Sequence, residues 1–292
     1  MKLSSLFNSG KTVLSFEVFP PKKTSPVETV YKTLDELASL TPDFISVTYG
    51  ASGSNAGAEN NAANTTLNIA AYIQNDLKIP SVAHLTCVYS TKEGIKSCIE
   101  AFAENKIENI LALRGDINPE FPRKHDFEYA SDLVRFIKQN GDFCVSGACY
   151  PECHLEAKDL RSDIRNLKTK VEAGAEHLVT QLFFDNAIFY SFAEKLEIAG
   201  IDVPVEAGIM PVVNKKQIER MVSLCGASLP AKFTKMLQKY EHNPEALRDA
   251  GLAYAIDQIA DLISNGVSGI HLYTMNNPLV AKRITDSIRS LL

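Results

Sequence analysis

No stretch of this chain approaches the apolar length of a membrane span, and Met1–Gly10 carries one lysine without the apolar core of a secretory leader. Both absences point to a cytoplasmic protein. There is no long lysine or arginine run, and the formal net charge is −5, so the average field repels phosphate-rich surfaces. Neither a nucleic-acid nor a membrane partner is expected. The G-x-G-x-x-G fingerprint and the G-x-x-x-x-G-K-[ST] phosphate loop are missing, and the glycines between Gly50 and Gly57 have the wrong spacing for either. H-E-x-x-H and G-x-S-x-G are missing too, which turns the reading away from a zinc peptidase or a serine hydrolase.

Cysteine is sparse for a disulfide scaffold: six residues are scattered through the chain, so reduced thiols are expected. Cys149, Cys153 and His154 form a C-x3-C-H cluster, but a zinc site usually needs a second close ligand pair and none follows. No metal is expected.

What is present is an ordinary globular composition, 45% hydrophobic and 22% charged, sufficient for a core without staples. Short β-branched runs alternate with longer segments of helical period, without a linker. The spacing predicts strands at Val13–Val18, Phe44–Thr48, Ser81–Thr86, Asn109–Leu113, Cys144–Ala148, His177–Leu182, Val205–Ile209 and Gly269–Tyr273. Between them, Ser25-Pro26-Val27-Glu28 reads as a capping box opening a helix with Val27, Val30, Tyr31, Leu34 and Leu37 on one face. Further faces are marked by Ile95, Cys98, Ile99 and Phe102, by Leu133, Val134 and Ile137, by Ile164, Leu167 and Val171, and by Val280, Ile284 and Ile288. Eight strands each followed by a helix suit a closed (β/α)8 TIM barrel, a single α/β domain over residues 1–292. Extra length from Ser223 to Asn265, with a long helix from Pro244 and an inserted helical turn, forms an elaboration between strands 7 and 8.

In such a barrel the carboxyl ends of the strands face the active-site mouth. They deliver Glu17, Thr48-Tyr49, His84 and Thr86, Arg114-Gly115-Asp116, Tyr150, Gln181 and Tyr273. Glu17 shares a strand face with Ser15 and Phe19 in an apolar surround, which should raise its pKa toward the range of a general acid. The competing reading is a structural carboxylate paired with a lysine or arginine. Arg114 and Asp116 either present opposite charges to a ligand or form a plain salt-bridged turn. The Gln181 amide matches the edge of a heteroaromatic ring, or it satisfies backbone groups. His177 and His271 sit within strands and read as core or rim residues, and Phe183 and Phe184 as core or pocket wall.

Taken together, Ser15-Phe16-Glu17-Val18-Phe19-Pro20-Pro21-Lys22, Ser46-Val47-Thr48-Tyr49-Gly50, His84-Leu85-Thr86-Cys87, Leu113-Arg114-Gly115-Asp116, Tyr150-Pro151-Glu152 with His154, and Thr180-Gln181-Leu182-Phe183-Phe184-Asp185 resemble the methylenetetrahydrofolate reductase family. The resemblance covers essentially the whole chain and follows the bacterial single-barrel form, without the regulatory domain of animal forms. It implies FAD-dependent reduction of 5,10-methylenetetrahydrofolate to 5-methyltetrahydrofolate by a ping-pong mechanism, supplying methyl groups for methionine synthesis. FAD is then non-covalent, NADH or NADPH is the co-substrate, with NADH favoured, and a homo-oligomer is expected.

By the same resemblance, flavin contacts fall on Tyr49, Ala51, His84, Arg114, Gly115, Asp116, Ala130, Tyr150, His154, Ala157, Asp163, Asn166, Thr169 and Lys170. Arg114, His154 and Lys170 suit a pyrophosphate and Asp163 a ribose hydroxyl. Glu17 resembles the acid that opens the folate imidazolidine ring, and Asp116 the partner of the pterin beside the flavin. Thr48 and Gln181 would place nicotinamide, and Gln181 with Gln217 would hold folate. Where the family often has Asn-Arg near the last strand, this chain has Asn276-Asn277, so Asn277 stands where an arginine would meet the folate tail. Two rival readings are a flavin-independent pterin-binding methyl-transfer barrel, told apart by bound yellow chromophore, and a ligand-binding scaffold, excluded by turnover with a nicotinamide cofactor.

Overall fold

The structure, a computed structural model, describes residues 1–21, 27–49 and 59–292, with only the backbone described for Val27, residues 59–63 and Gln217. Ser25, Pro26 and Ala51 lie outside the described residues, so the capping box and one expected cofactor contact are not addressed. Strands β1 (Val13–Val18), β2 (Phe44–Val47), β3 (Ser81–Thr86), β4 (Asn109–Leu113), β5 (Cys144–Cys149), β6 (His177–Thr180), β7 (Val205–Ile209) and β8 (Gly269–Tyr273) pair in parallel, in chain order. Pairing of β8 with β1, Val13 opposite Gly269 and Glu17 opposite Tyr273, closes the barrel.

Helices α1 (Val27–Ala38), α2 (Glu59–Asn75), α3 (Lys92–Glu104), α4 (Ala130–Asn140), α5 (Leu160–Glu172), α6 (Asn186–Ile198), α7 (Lys215–Cys225) and α10 (Pro278–Ile288) surround it. The elaboration expected between strands 7 and 8 is present as α8 (Ala231–Tyr240) and α9 (Pro244–Ser264). Its first part is a full ten-residue helix rather than a turn. None of the helices among the described residues is long and apolar enough to cross a membrane.

Strand alternation explains how the molecule divides its polarity. Leu14, Phe16 and Val18 of β1, Ile45 and Val47 of β2, and Ile270 and Leu272 of β8 join Leu34, Leu37, Ile284 and Ile288 of the helices in one apolar cluster. Each such side chain, fully buried, contributes roughly 1.5–3 kcal/mol. The other strand face turns inward, and there Ser15, Ser46, His84, Ser146, His177, Glu206 and His271 are buried. At the amino-terminal end of the barrel two 3-10 turns, Leu3–Ser5 and Phe7–Ser9, put Leu3, Leu6 and Phe7 against Val13, Phe44, Val82, Leu111, Cys144 and Val179. That floor is apolar, and the carboxyl ends of the strands form the opposite mouth.

Two strands end earlier than their sequence pattern suggests. β6 stops at Thr180, whose hydroxyl accepts the Gly208 N–H at 2.8 Å and whose carbonyl accepts the Tyr273 hydroxyl at 2.6 Å, although the Gln181 N–H still reaches the Cys149 carbonyl at 2.7 Å. Phe183 and Phe184 beyond it are buried, as expected of core residues, and α9 holds their carbonyls through Gln258 at 3.1 Å and Tyr254 at 2.5 Å. β2 ends one residue early, at Val47, although the Thr48 N–H still reaches the Val18 carbonyl at 3.0 Å.

Candidate active site

Glu17 closes toward the mouth from β1, and two imidazoles converge on it. Its Oε2 lies 3.5 Å from His271 Nε2 on β8 and 3.7 Å from His84 Nε2 on β3. Neither ring nitrogen has a closer hydrogen-bond partner, and both are buried. No lysine or arginine among the described residues pairs with Glu17, so the structural-pair reading fails in its expected form.

The expected raised pKa is also corrected. Burial pushes the Glu17 carboxyl up, but the His271 contact and the charges of His84 and His271 outweigh it and leave Glu17 below the ordinary value. His84 is pushed down to about 4, by burial first and by His271, against the opposing pull of Glu17. Near neutrality His84 is therefore uncharged, and His271 is the partner that counts. Sequence reasoning set His271 aside as core or rim; its inward position on a strand of alternating polarity was the signal available.

His84 has a consequence for folding. Its folded pKa lies below the unfolded value, so between about pH 6.5 and pH 4 the unfolded chain binds more protons and stability falls as pH drops. Glu17 acts in the same direction but lower, as pH falls through its depressed folded pKa. His84→Gln is expected to flatten the loss of thermal midpoint between pH 6.5 and 4. Parallel curves for variant and parent would assign that acid sensitivity elsewhere.

Behind the ends of β4 and β5 lies a cleft of about 400 Å³. It gathers Arg114, Ala130, Tyr150, His154, Ala157, Asp163, Asn166, Thr169 and Lys170, nine of the positions singled out by the sequence. Lys170 of α5 donates to the Ala148 carbonyl at 2.6 Å, and no carboxylate among the described residues pairs with its amine. Burial pushes its pKa down, against the attraction of Cys149 and Asp163. Gly147 makes room for it, since a Cβ there would sit 2.6 Å from Lys170 Cδ. Arg114 is bound bidentately by Glu156, both contacts at 2.6 Å, so its salt bridge is not with Asp116. Glu156, which the sequence reading missed, also donates its N–H to His154 Nδ1 at 3.1 Å. A neutral His154 then carries its proton on Nε2, a free donor. Asp163 accepts the His154 N–H at 2.8 Å.

The remaining expected positions lie around this cleft and the mouth. Gly115 adopts a left-handed φ of 87° beyond β4, against Thr86 and Val88, a conformation that favours glycine. Asp116 is exposed, and its charge adds to burial in raising the Tyr150 phenol and in pushing the Cys225 thiol to about 11. Gln181 Oε1 accepts the Leu182 N–H at 2.9 Å, which leaves its NH2 as the outward group. Thr48 and Tyr49 follow β2 at the mouth, where the Thr48 carbonyl accepts the Thr66 hydroxyl at 2.9 Å. Asn277 caps α10, its oxygen accepting the Val280 N–H at 3.2 Å, and Asn276 clasps both the N–H and the carbonyl of Phe19. The Gln217 side chain lies outside what is described. Cys149 is buried among Leu167, Leu178 and Phe192, and no group of three metal-binding side chains gathers among the described residues.

Below Glu17 the barrel holds a second acid that the sequence reading also missed. Glu206 of β7 is fully buried between Ser15, at 2.8 Å, and His177, at 3.1 Å. His177 stacks on Phe7 with ring centroids 4.7 Å apart, a core residue as expected.

The family model described as methylenetetrahydrofolate reductase matches residues 2–289. A 5,10-methylenetetrahydrofolate reductase of Pectobacterium carotovorum is 38% identical over 96% of this chain and 91% of its own, and that of Escherichia coli K12 is 37% identical over the same shares. Methylenetetrahydrofolate reductase (NADH) 1 of Arabidopsis thaliana is 37% identical over 94% of this chain, which spans 48% of that protein. Among solved structures, Yersinia pestis DHPS with a pterine-sulfa conjugate superposes with a TM-score of 0.53 at 13% identity, covering 96% of this chain and 95% of that one. Oxaloacetate acetylhydrolase reaches 0.55 at 11% identity, covering 99% and 84%. These two share the fold alone.

Proposed function

Because the chain belongs to the methylenetetrahydrofolate reductase family, we propose that it reduces 5,10-methylenetetrahydrofolate to 5-methyltetrahydrofolate, with NADH as hydride source and non-covalent FAD held at the barrel mouth. The product supplies methyl groups for methionine synthesis. One observation carries the reading beyond the family match: a carboxyl group at the mouth, faced by two buried imidazoles and, among the described residues, by no lysine or arginine. Such an arrangement holds a movable proton rather than a permanent ion pair.

The residues present fit a flavin dinucleotide. Lys170 offers a cation without a carboxylate partner among the described residues, His154 a ring N–H, and Arg114 a guanidinium whose present partner is the half-exposed Glu156. Together they favour a pyrophosphate. A flavin held there would supply hydride transfer between nicotinamide and the folate carbon. The protein's own tasks are to orient both substrates and to deliver a proton to folate N10 from Glu17. The outward amide of Gln181 suits the edge of a ring, and Asp116 stands in reach of the mouth beside Tyr150.

The direct experiment is an absorption spectrum of the purified protein, followed anaerobically by NADH and then methylenetetrahydrofolate. The expected course is a yellow protein that bleaches and then recolours. A colourless, folded protein with no affinity for added FAD would sink the proposal. Lys170→Met is expected to weaken FAD binding by about 10–100-fold, the cost of losing a buried charged donor, with little loss of thermal stability. Unaltered affinity on titration would remove Lys170 from the cofactor site.

A further inference from the structure

We propose that Glu206 is a positioning residue for the acid site: through Ser15 it decides which nitrogen of His271 carries the proton, leaving the nitrogen that faces Glu17 as an acceptor. Its catalytic consequence rests on the reading of Glu17 as the folate acid. The tautomer itself does not.

The argument is one of hydrogen-bond direction. Glu206 Oε2 lies 3.1 Å from His177 Nε2, and His177 Nδ1 lies 2.9 Å from Ser146 Oγ. Neither Glu206 Oε2 nor His177 Nε2 has a hydrogen-bond partner among the described residues, so their contact is one of charge, and a Glu206 carboxylate facing His177 has no proton to give from Oε1. It can only accept. Ser15 Oγ is 2.8 Å from that oxygen and donates its single proton there; the other acceptor in range, the Ile270 carbonyl, is 3.4 Å away. Toward His271 the Ser15 oxygen then has only lone pairs. His271 Nδ1, 2.6 Å distant, must therefore be the donor.

A neutral imidazole carries one N–H, so Nε2 is bare, and Nε2 is the atom that faces Glu17 Oε2 at 3.5 Å. Two lone pairs cannot hold that contact. Glu17 and His271 accordingly share one proton, either as a carboxylic acid against a bare nitrogen or as a carboxylate against an imidazolium. Either form keeps a transferable proton beside the mouth. The titratable groups around Glu206 are His177 from β6, His271 from β8 and Asp43 ahead of β2. Around His271 they are Glu17 from β1, His84 from β3 and Tyr273 on its own strand.

Nitrogen NMR of the protein with labelled histidine, at a pH where His271 is neutral, reads the tautomer directly, with His271→Asn giving the assignment. The expected spectrum has Nδ1 protonated and Nε2 bare. Ser15→Ala, and the paired change Glu206→Leu with His177→Leu that leaves no stranded partner, are each expected to move the proton to Nε2, where it can bond the Glu17 carboxylate. A protonated Nε2 with a bare Nδ1 in the unaltered protein, or a neutral ring that keeps its proton on Nδ1 in the variants, overturns the proposal. If the paired variant does not fold, the unaltered protein and Ser15→Ala decide it. In rapid mixing the paired variant is expected to slow recolouring by methylenetetrahydrofolate about tenfold while bleaching by NADH stays within about twofold. Equal slowing of both halves would count against Glu206. Normal recolouring in Glu17→Gln would instead sink the reading of Glu17 and leave the tautomer result standing.

Discussion

Glu17→Gln is expected to bleach with NADH at close to the parent rate and to recolour with methylenetetrahydrofolate about 10²–10⁴-fold more slowly, the usual contribution of a general acid. The amide is isosteric and keeps the mouth's shape, so hydride transfer from nicotinamide, which needs alignment and no acid, should survive. Folate is different. Its bridging methylene must be freed from N10 by protonation before an electrophilic carbon is available, and the amide has no proton to give at that cost. Because Glu17 lies below the ordinary carboxylate value of 4.5, it is mostly ionised at neutrality. The folate half-reaction of the parent should therefore accelerate as pH falls below 7, and that acceleration should vanish in the variant. Equal slowing of both halves would make Glu17 a wall of the pocket, and normal rates in both would remove it from the mechanism.

The largest stability loss is expected at Gly251→Ala, on the helix that forms the elaboration. A Cβ at this position would lie 1.8 Å from the carbonyl oxygen of Val212, a backbone atom that cannot rotate away. Helix α9 cannot simply lift, because Tyr254 and Gln258 tie it to the carbonyls of Phe184 and Phe183. Overpacking of this kind costs about 1–3 kcal/mol or more, and the better helix propensity of alanine returns only about 1 kcal/mol. A fall in thermal midpoint of roughly 5 °C follows for a chain of this size. Val212 leads into α7, which carries Gln217, so weaker folate binding should accompany the fall. An unchanged midpoint would show that α9 has slack against the β7–α7 connection.

The barrel was legible because its determinants are local. Phe16 and Val18 alternate with Ser15 and Glu17 along one strand, and Leu133, Val134 and Ile137 recur at helical spacing on a face that proved buried. The insertion beyond the seventh strand was visible as surplus length, although α8 was read as a turn because ten residues with only Phe233 and Leu237 buried present a short stripe. Candidate positions at strand ends were equally readable, since the fold alone assigns that end to the mouth.

The charge state of the site was not. Alternation placed Glu17 inward and left its neighbours to be guessed, and the guess of an apolar surround put its pKa on the wrong side. The curvature of the barrel brings β3 toward β1 and its closure brings β8 there, so that His84 and His271 reach the carboxylate from distant parts of the sequence. Ser15 and His271, 256 positions apart in sequence, meet at 2.6 Å. By itself the sequence determined which elements form and which face of each turns inward, because those depend on residues within a few positions of one another. Only the tertiary structure decided which inward groups touch, and with that their protonation, because Coulomb and hydrogen-bond energies depend on distance through space and on exclusion of water.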